Sequence, residues 1–442
     1  MPPLHEIARD QPLALVTAGG KTSPRWLLVG PATETHAAHT PKDALELIRR
    51  VAGPAPLPAH TPTPHPPREP DAPPFTSGWA LAVSYDLGRY LEPAASHPNH
   101  PAQDRDLPLA VAVRIDHAQP VDLPELGEPG EPDQASRSLD YHRDRFTARV
   151  RRVLGYIRAG DVYQVNLTRR FTQPLDVEPR DLAAALFAAA RPAHGCLIEW
   201  PGPPDPASPA GITAPLDALI SASPELFLSY DPTSRTVRTK PMKGTRPAAS
   251  DPAELDLAEK DRAELAMIVD LMRNDLTQVC RIPSVRVEAP RTIDTHADSV
   301  HQATATIAGE LRGDLTLADA IFATFPPGSV TGAPKIRAMQ IIDELEDAAR
   351  NFYCGLAGWI DDSGRAELSV TIRAATASGP QHTRTLDLHA GAGIVADSDP
   401  DAEWHETLLK TEVIRDALAA VRSTQGAASS TASNAAPEPA TT

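Results

Sequence analysis

The residues best placed to do chemistry sit in Arg238-Thr239-Lys240-Pro241-Met242-Lys243-Gly244-Thr245-Arg246-Pro247. Lys243 has a proline two residues before it, a glycine directly after it and a second proline at Pro247. Proline fixes φ and glycine permits close backbone approach, so the stretch predicts a stiff loop that can aim a lysine. A lysine held in a partly desolvated cleft can act as an uncharged nucleophile. Taken alone, the same string also fits a surface turn with a solvated lysine. Two pairs of carboxylates stand at helical i,i+3 spacing, Asp261 with Glu264 and Glu403 with Glu406. Each pair projects from one side of a helix. Each fits an ordinary charged face, or two such helices can meet around a hard cation such as magnesium, which prefers oxygen ligands. Phe325–Lys335, FPPGSVTGAPK, is a glycine-bearing turn opening a helix, and its free amides suit an anion. It is not a phosphate-binding P-loop, because Ala-Pro-Lys follows its second glycine.

These residues need elements to position them. Phe146, Val150, Val153, Leu154 and Ile157 recur at helical spacing, and Val162–Phe171 reads as a strand carrying Gln164. A helix over Arg180–Ala190 and a strand over Cys196–Trp200 follow. Leu219–Tyr230 reads as one strand interrupted at Ser223-Pro224-Glu225, which predicts a bulge that re-aims Glu225. Arg235–Pro241 pairs with it as a hairpin, bringing Glu225 and Lys243 to one end of a sheet. Ala253–Leu276 predicts one long helix, Pro334–Arg350 another, and Pro400–Val421 a last one bearing Lys410. Tyr353–Asp361, Ala366–Ala377 and Thr385–Val395 predict a three-strand meander that includes Arg373, Gly391 and Gly393. The fold class is α+β, with largely antiparallel sheets. Residues 1–135 form an N-terminal scaffold or regulatory part, with strands near Trp26–Val29, Trp79–Tyr85 and Leu109–Ile115 and a helix over Pro41–Val51. Residues 136–421 carry the candidate chemistry, and 422–442 reads as a disordered tail of Ala, Ser, Thr and Pro.

The 442 residues carry a net charge of −16, a field that argues against nucleic acid and anionic membranes as partners. Cys196, Cys280 and Cys354 are far apart and lack CxxC spacing, so neither a disulfide framework nor a zinc site is expected. No signal peptide or membrane-spanning run is evident, and the expectation is a cytoplasmic protein. The prolines cluster at Pro56–Pro74, around His60 and His65, and at Pro201–Pro215, both read as surface loops.

The motifs GDVYQVNL (Gly160–Leu167), SPELF (Ser223–Phe227), PMKGTRP, DRAELAMIVDLMRND (Asp261–Asp275), FPPGSVTGAPKIRAM and GAGIVADSDPDAEWHE (Gly391–Glu406) stand in one order along the chain. Together with Tyr353–Gly358 and Ile372-Arg373 they resemble the chorismate-utilising enzymes; before residue 140 the match is limited to Phe75–Tyr90. The resemblance implies two stacked sheets with helices outside and the active site in a cleft between them. It implies chorismate as substrate, magnesium held by Glu264 and Glu406 with Asp261 and Glu403 beside them, and the ring carboxylate on that ion. Arg373, Tyr353, Gly391 and Gly393 are similar to the family's contacts to the enolpyruvyl carboxylate, with Thr331 and Lys410 in the pocket. Members that add water have a lysine base where this chain has Gln164, so Gln164 points to ammonia. Anthranilate-forming members have alanine where this chain has Lys243. The resemblance therefore implies amination of chorismate at C4, with Lys243 as nucleophile and Glu225 as the acid for the leaving hydroxyl. Ammonia would come from a separate glutamine amidotransferase subunit. Anthranilate formation and a non-catalytic chorismate-binding role are the alternatives. Many members carry a histidine where Gln302 stands; His301, one place earlier on a strand, faces the other side.

Overall fold

The computed structural model describes residues 12–18, 26–53, 75–98, 100, 105–121, 143–204, 215–247, 249–257, 259–296 and 300–433. Two antiparallel sheets organise it. One has nine strands, in the order Gly332–Ala333, Gln164–Pro174, Thr385–Ile394, Ala374–Ser378, Leu216–Ser223, His194–Pro201, Leu13–Ala18, Trp26–Pro31 and Gln119–Pro120. The other has ten. Nine of them run Met242–Pro247, Val300–Glu310, Thr236–Lys240, Leu226–Asp231, Ala366–Val370, Leu356–Asp361, Gly78–Val83, Ala110–Ile115 and Glu34–Ala38, and Arg286–His296 also pairs with Val300–Glu310. Strands from the N-terminal part thus complete both sheets.

Side-chain alternation explains the layering. Val16, Cys196, Ile198 and Leu219 of one sheet pack against Ala80, Ala82, Val111, Val113 and Trp359 of the other. The opposite faces are covered by helices. Pro179–Ala190 and Pro400–Ser433 cover Leu15, Leu197, Ile220 and Leu388. Pro41–Ala52, Glu259–Thr277 and Leu317–Thr324 cover Leu81, Val83, Val237 and Leu368. The architecture is the α+β arrangement of two stacked antiparallel sheets with helices outside.

Three sequence expectations need correction. Leu219–Tyr230 is not one bulged strand: Leu216–Ser223 ends in the nine-stranded sheet and Leu226–Asp231 begins in the ten-stranded one. Ser223-Pro224-Glu225 is the crossing. The meander is likewise divided, because Ala366–Val370 and Ala374–Ser378 lie in different sheets and the chain crosses back at Thr371-Ile372-Arg373. The PMKGTRP segment is an edge strand, Met242–Pro247, rather than a loop. An edge tolerates prolines, and Gly244 at φ +80° supplies a bulge where the register shifts between Lys243 and Thr245. The helix expected over Ala253–Leu276 is present as Pro252–Leu257 and Glu259–Thr277, with residue 258 outside the described residues.

Boundaries move elsewhere. The helix expected from Pro334 to Arg350 covers Lys335–Leu345, and the last helix runs to Ser433, past the point where composition led us to expect a loss of order. Residues 434–442 and most of the two proline-rich stretches lie outside the described residues. So does residue 135.

The two crossings are bonded to each other. Ala222 N donates to Arg373 O (3.0 Å) and Val370 N donates to Glu225 O (3.1 Å). Ser223 Oγ donates to Val370 O (2.6 Å) and accepts from Glu225 N (3.2 Å), while Ser221 Oγ reaches Ile372 O (3.2 Å). All are buried or nearly so, where an unmade bond is costly. We expect Ser223→Ala to lower unfolding stability by about 1–2 kcal/mol, since it leaves a buried carbonyl and amide short of a partner. Urea denaturation followed by circular dichroism measures it, and an unchanged midpoint would show that the crossings do not depend on this hydroxyl.

Candidate active site

The cleft floor is the strand pair Gln164–Pro174 and Thr385–Ile394, in register with Gly393 opposite Asn166 and Gly391 opposite Thr168. Val165, Leu167, Ala392 and Ile394 face the helices Arg143–Ala159 and Lys335–Leu345. By alternation Gln164, Asn166 and Thr168 face the other way, together with Gly391 and Gly393. Two cations anchor this floor from behind. Arg169 lies with its guanidinium 3.5 Å from the Trp404 ring centre and 3.9 Å from that of Phe171, and its Nε donates to Thr407 (2.9 Å). Burial pushes its pKa down to about 9. This contact ties down the helix that carries Glu403, Glu406 and Lys410. Arg350 forms a buried pair with Glu346 (2.7 Å) and donates to Asn166 O (2.7 Å) and Val330 O (2.9 Å). Thr168 N donates to Glu346 (2.7 Å).

Lys243 reaches this floor from the edge strand of the other sheet. A Cβ placed on Gly393 would lie 2.9 Å from Lys243 Nζ and 3.0 Å from Gln164 Nε2. The amine, the amide and the bare glycine therefore share one small space. Gln164 is fully buried, and neither of its amide atoms has a hydrogen-bond partner among the described residues. Lys243 is 15% exposed, with Nζ 3.8 Å from Glu264 Oε2. Lys410 Nζ bonds Gly391 O (2.8 Å) and Glu406 Oε1 (2.6 Å).

Glu225, delivered by the first crossing, is buried. Burial raises its pKa to about 7; a bond to Ser329 and the charges of Lys243 and Lys410 oppose the rise. A carboxyl poised there can be a proton donor near neutral pH. Arg373 follows from the second crossing, at φ +48°, with its pKa lowered by burial and held up by Tyr353. Tyr353 is buried and stacked on His389, with ring centres 5.3 Å apart and an angle of 14° between planes. The structure thus brings together Lys243, Gln164, Gly393, Glu225 and Lys410, and separately pairs Arg373 with Tyr353.

Other expected residues are engaged elsewhere. Thr331 is buried, but its hydroxyl donates within its own turn, to Pro327 O and Gly328 O at 3.2 Å each. Asp261 bonds Arg246 (3.0 Å), and its carboxyl lies 2.8 Å from where a Gly244 Cβ would stand. Glu403 is buried and Glu406 half-exposed. Among the described residues, no three His, Cys, Asp or Glu side chains gather closely enough to hold a metal ion. Glu264 and Glu406 nonetheless fit a hard cation in chemistry, because each is an oxygen donor beside a lysine ammonium. Gln302 is fully buried with Oε1 lacking a partner among the described residues, whereas His301 Nδ1 lies 2.9 Å from Thr295 Oγ1. Sequence reasoning missed Ser329, Arg246 and His389. Ser329 lay inside a recognised motif, but its contact to Glu225 joins segments far apart in the chain.

Residues 12–416 match the family model described as chorismate binding enzyme, and the chain belongs to that family. It is 34% identical to aminodeoxychorismate synthase component 1 of Klebsiella aerogenes, over 92% of this chain and 89% of that one. It is 40% identical to an anthranilate synthase component 1 of Haloarcula marismortui, over 66% of this chain but only 56% of that protein's length. Among solved structures, anthranilate synthase component I from Streptococcus pneumoniae superposes with a TM-score of 0.62 at 24% identity, covering 91% of this chain and 90% of that one. The menaquinone-specific isochorismate synthase MenF from Escherichia coli gives 0.61 at 18%, covering 93% and 90%. No helix among the described residues is long and apolar enough to cross a membrane.

Glu225 sets a pH dependence. Its folded-state pKa, about 7, lies above the ordinary 4.5, so the proton favours the fold. Stability from this group is complete below about 4.5 and is lost as pH rises through about 7. Glu225→Gln should remove that slope from a plot of unfolding free energy against pH. Parallel profiles for the two proteins would contradict the assignment.

Proposed function

We propose that the chain is the chorismate-aminating subunit of an aminodeoxychorismate synthase, forming 4-amino-4-deoxychorismate from chorismate and ammonia on the route to p-aminobenzoate and folate. The observation that carries this reading is Lys243 Nζ, held with Gln164 at Gly393 in a site that also contains a protonatable Glu225. An amine there is a nucleophile, and the anthranilate-forming relatives have no counterpart to it. Lys243 attacks C2, both ring double bonds shift, and the C4 hydroxyl leaves as water with the Glu225 proton. Ammonia then attacks C4, both double bonds shift back, and the C2–nitrogen bond to Lys243 breaks. Two displacements return the new amine to the position of the lost hydroxyl.

Gln164 supports ammonia over water, because an amide cannot take a proton from water and ammonia needs no base. Arg373 and Tyr353 bind the enolpyruvyl carboxylate, Arg373 as a planar two-donor partner. Glu264 and Glu406 would hold magnesium, which when bound neutralises the ring carboxylate. Ammonia would be delivered by a glutamine amidotransferase subunit, in the cytoplasm.

Product analysis with chorismate, magnesium and an ammonium salt tests the reading. The expected product keeps its enolpyruvyl group; stoichiometric pyruvate release would identify anthranilate formation instead. Lys243→Ala should abolish the aminated product or redirect it, a fall of at least about 100-fold for loss of a covalent nucleophile. Wild-type rate and product in that variant would exclude the adduct. Glu406→Gln should raise the magnesium concentration for half-maximal rate by about tenfold; an unmoved magnesium titration would remove Glu406 from the ion's partners.

A further inference from the structure

The stretch Phe75–Tyr90 matches the family but supplies nothing to the cleft. Its end, the turn Tyr85–Leu87 and the short helix Gly88–Leu91, closes over a small cavity lined by Tyr85, Asp86, His100, Asp343, Glu346 and Arg350. Its volume suits one water-sized species. Tyr85, Asp86, Asp343, Glu346 and Arg350 are all more than nine-tenths buried.

The lining has more acceptors than donors. Three carboxylates, Asp86, Asp343 and Glu346, face two guanidiniums, Arg350 at the wall and Arg89, which donates to Asp86 (2.8 Å). Asp86 also accepts from Asn351 N (2.8 Å), and Asp343 from His97 N (3.3 Å). His100 Nδ1 lies 2.9 Å from Asp343 and offsets its charge only when protonated. A carboxylate has about four acceptor positions, so Asp86 and Asp343 each retain capacity. The buried Tyr85 hydroxyl has no hydrogen-bond partner among the described residues, and neither ring nitrogen of His100 makes a hydrogen bond there. Burial holds the Asp86 carboxyl above its ordinary range, with Arg89, the Asn351 amide and the His100 ring only partly opposing it and Asp343 adding to it. The site therefore suits something small, positively charged and rich in N–H donors. Water matches the size but brings no charge; potassium brings charge but no donors.

We propose that this cavity binds ammonium, with the Tyr85 hydroxyl oxygen and the carboxylates of Asp86 and Asp343 accepting its N–H groups. Glu346 and Arg350 form one wall and also hold Thr168 N and Asn166 O, on the strand that carries Gln164. Nitrogen bound here sits directly behind the cleft floor. Its use in amination rests on the function proposed above; its binding does not.

Thermal unfolding at neutral pH, without chorismate, compares ammonium, potassium and sodium chlorides at equal ionic strength. Ammonium should raise the midpoint by a few degrees above either metal salt, and Tyr85→Phe and Asp343→Asn, both close in shape to the native residues, should each erase the increment. Equal midpoints in the three salts, the result for a cavity that holds only water, would overturn the proposal, as would an increment that survives both changes. In steady-state amination with an ammonium salt, the two variants should need about tenfold more ammonium for half-maximal rate at unchanged chorismate KM. An ammonium increment in a wild-type protein that makes no aminated product would leave the site standing and remove the function.

Discussion

The structure depends on two places where the chain leaves one sheet for the other. Ser223-Pro224-Glu225 and Thr371-Ile372-Arg373 run side by side and are sewn together by buried backbone and serine hydrogen bonds. Buried backbone groups must find partners, and here the partners lie on the other crossing. That requirement fixes the side chains projecting from them. Glu225 is put under the lysines, and Arg373 beside Tyr353, by the join between the sheets rather than by mobile loops.

The site is assembled from segments of quite different rigidity. Gln164, Gly391 and Gly393 belong to paired strands anchored from behind by Arg169 and the Arg350–Glu346 pair. Lys243 is on an edge strand with one bonded neighbour, Val300–Glu310. Lys243 is thus carried by the less supported strand, while the strand pair that carries Gln164, Gly391 and Gly393 is held on both sides. Buried pairs such as Arg350–Glu346 add little net stability against desolvation, but losing one member strands the other charge. Here that would also release Asn166 and Thr168.

Much of this was legible in the residue order. Periodicity located the helix Arg143–Ala159 and the strands on either side of Pro179–Ala190 to within a few residues. The residue types at Lys243, Gln164 and Glu225 marked them as candidates, and the structure brings them together. What the residue order did not reveal were the sheet changes, because Leu219–Ile220 and Phe227–Leu228 are equally apolar and buried on both sides of the crossing. Only the distant partner, Leu226 opposite Ser369 rather than another strand of the first sheet, makes the difference. The edge strand at Lys243 was hidden for a related reason: two prolines argue locally for a loop, and only the pairing to Val300–Glu310 overrides them. The reach of Ser329 to Glu225 is invisible for the same cause.

Gly393 has a consequence for how far such a site can drift. The hydrogen that stands in for its side chain leaves the gap into which the Lys243 amine and the Gln164 amide both extend. One methyl group would fill that gap, so the Lys243 nitrogen owes its berth to an atom count on a neighbouring strand. Changes of substrate preference in this scaffold would then come more readily from swapping the two side chains that enter the gap than from any alteration of the backbone that frames it.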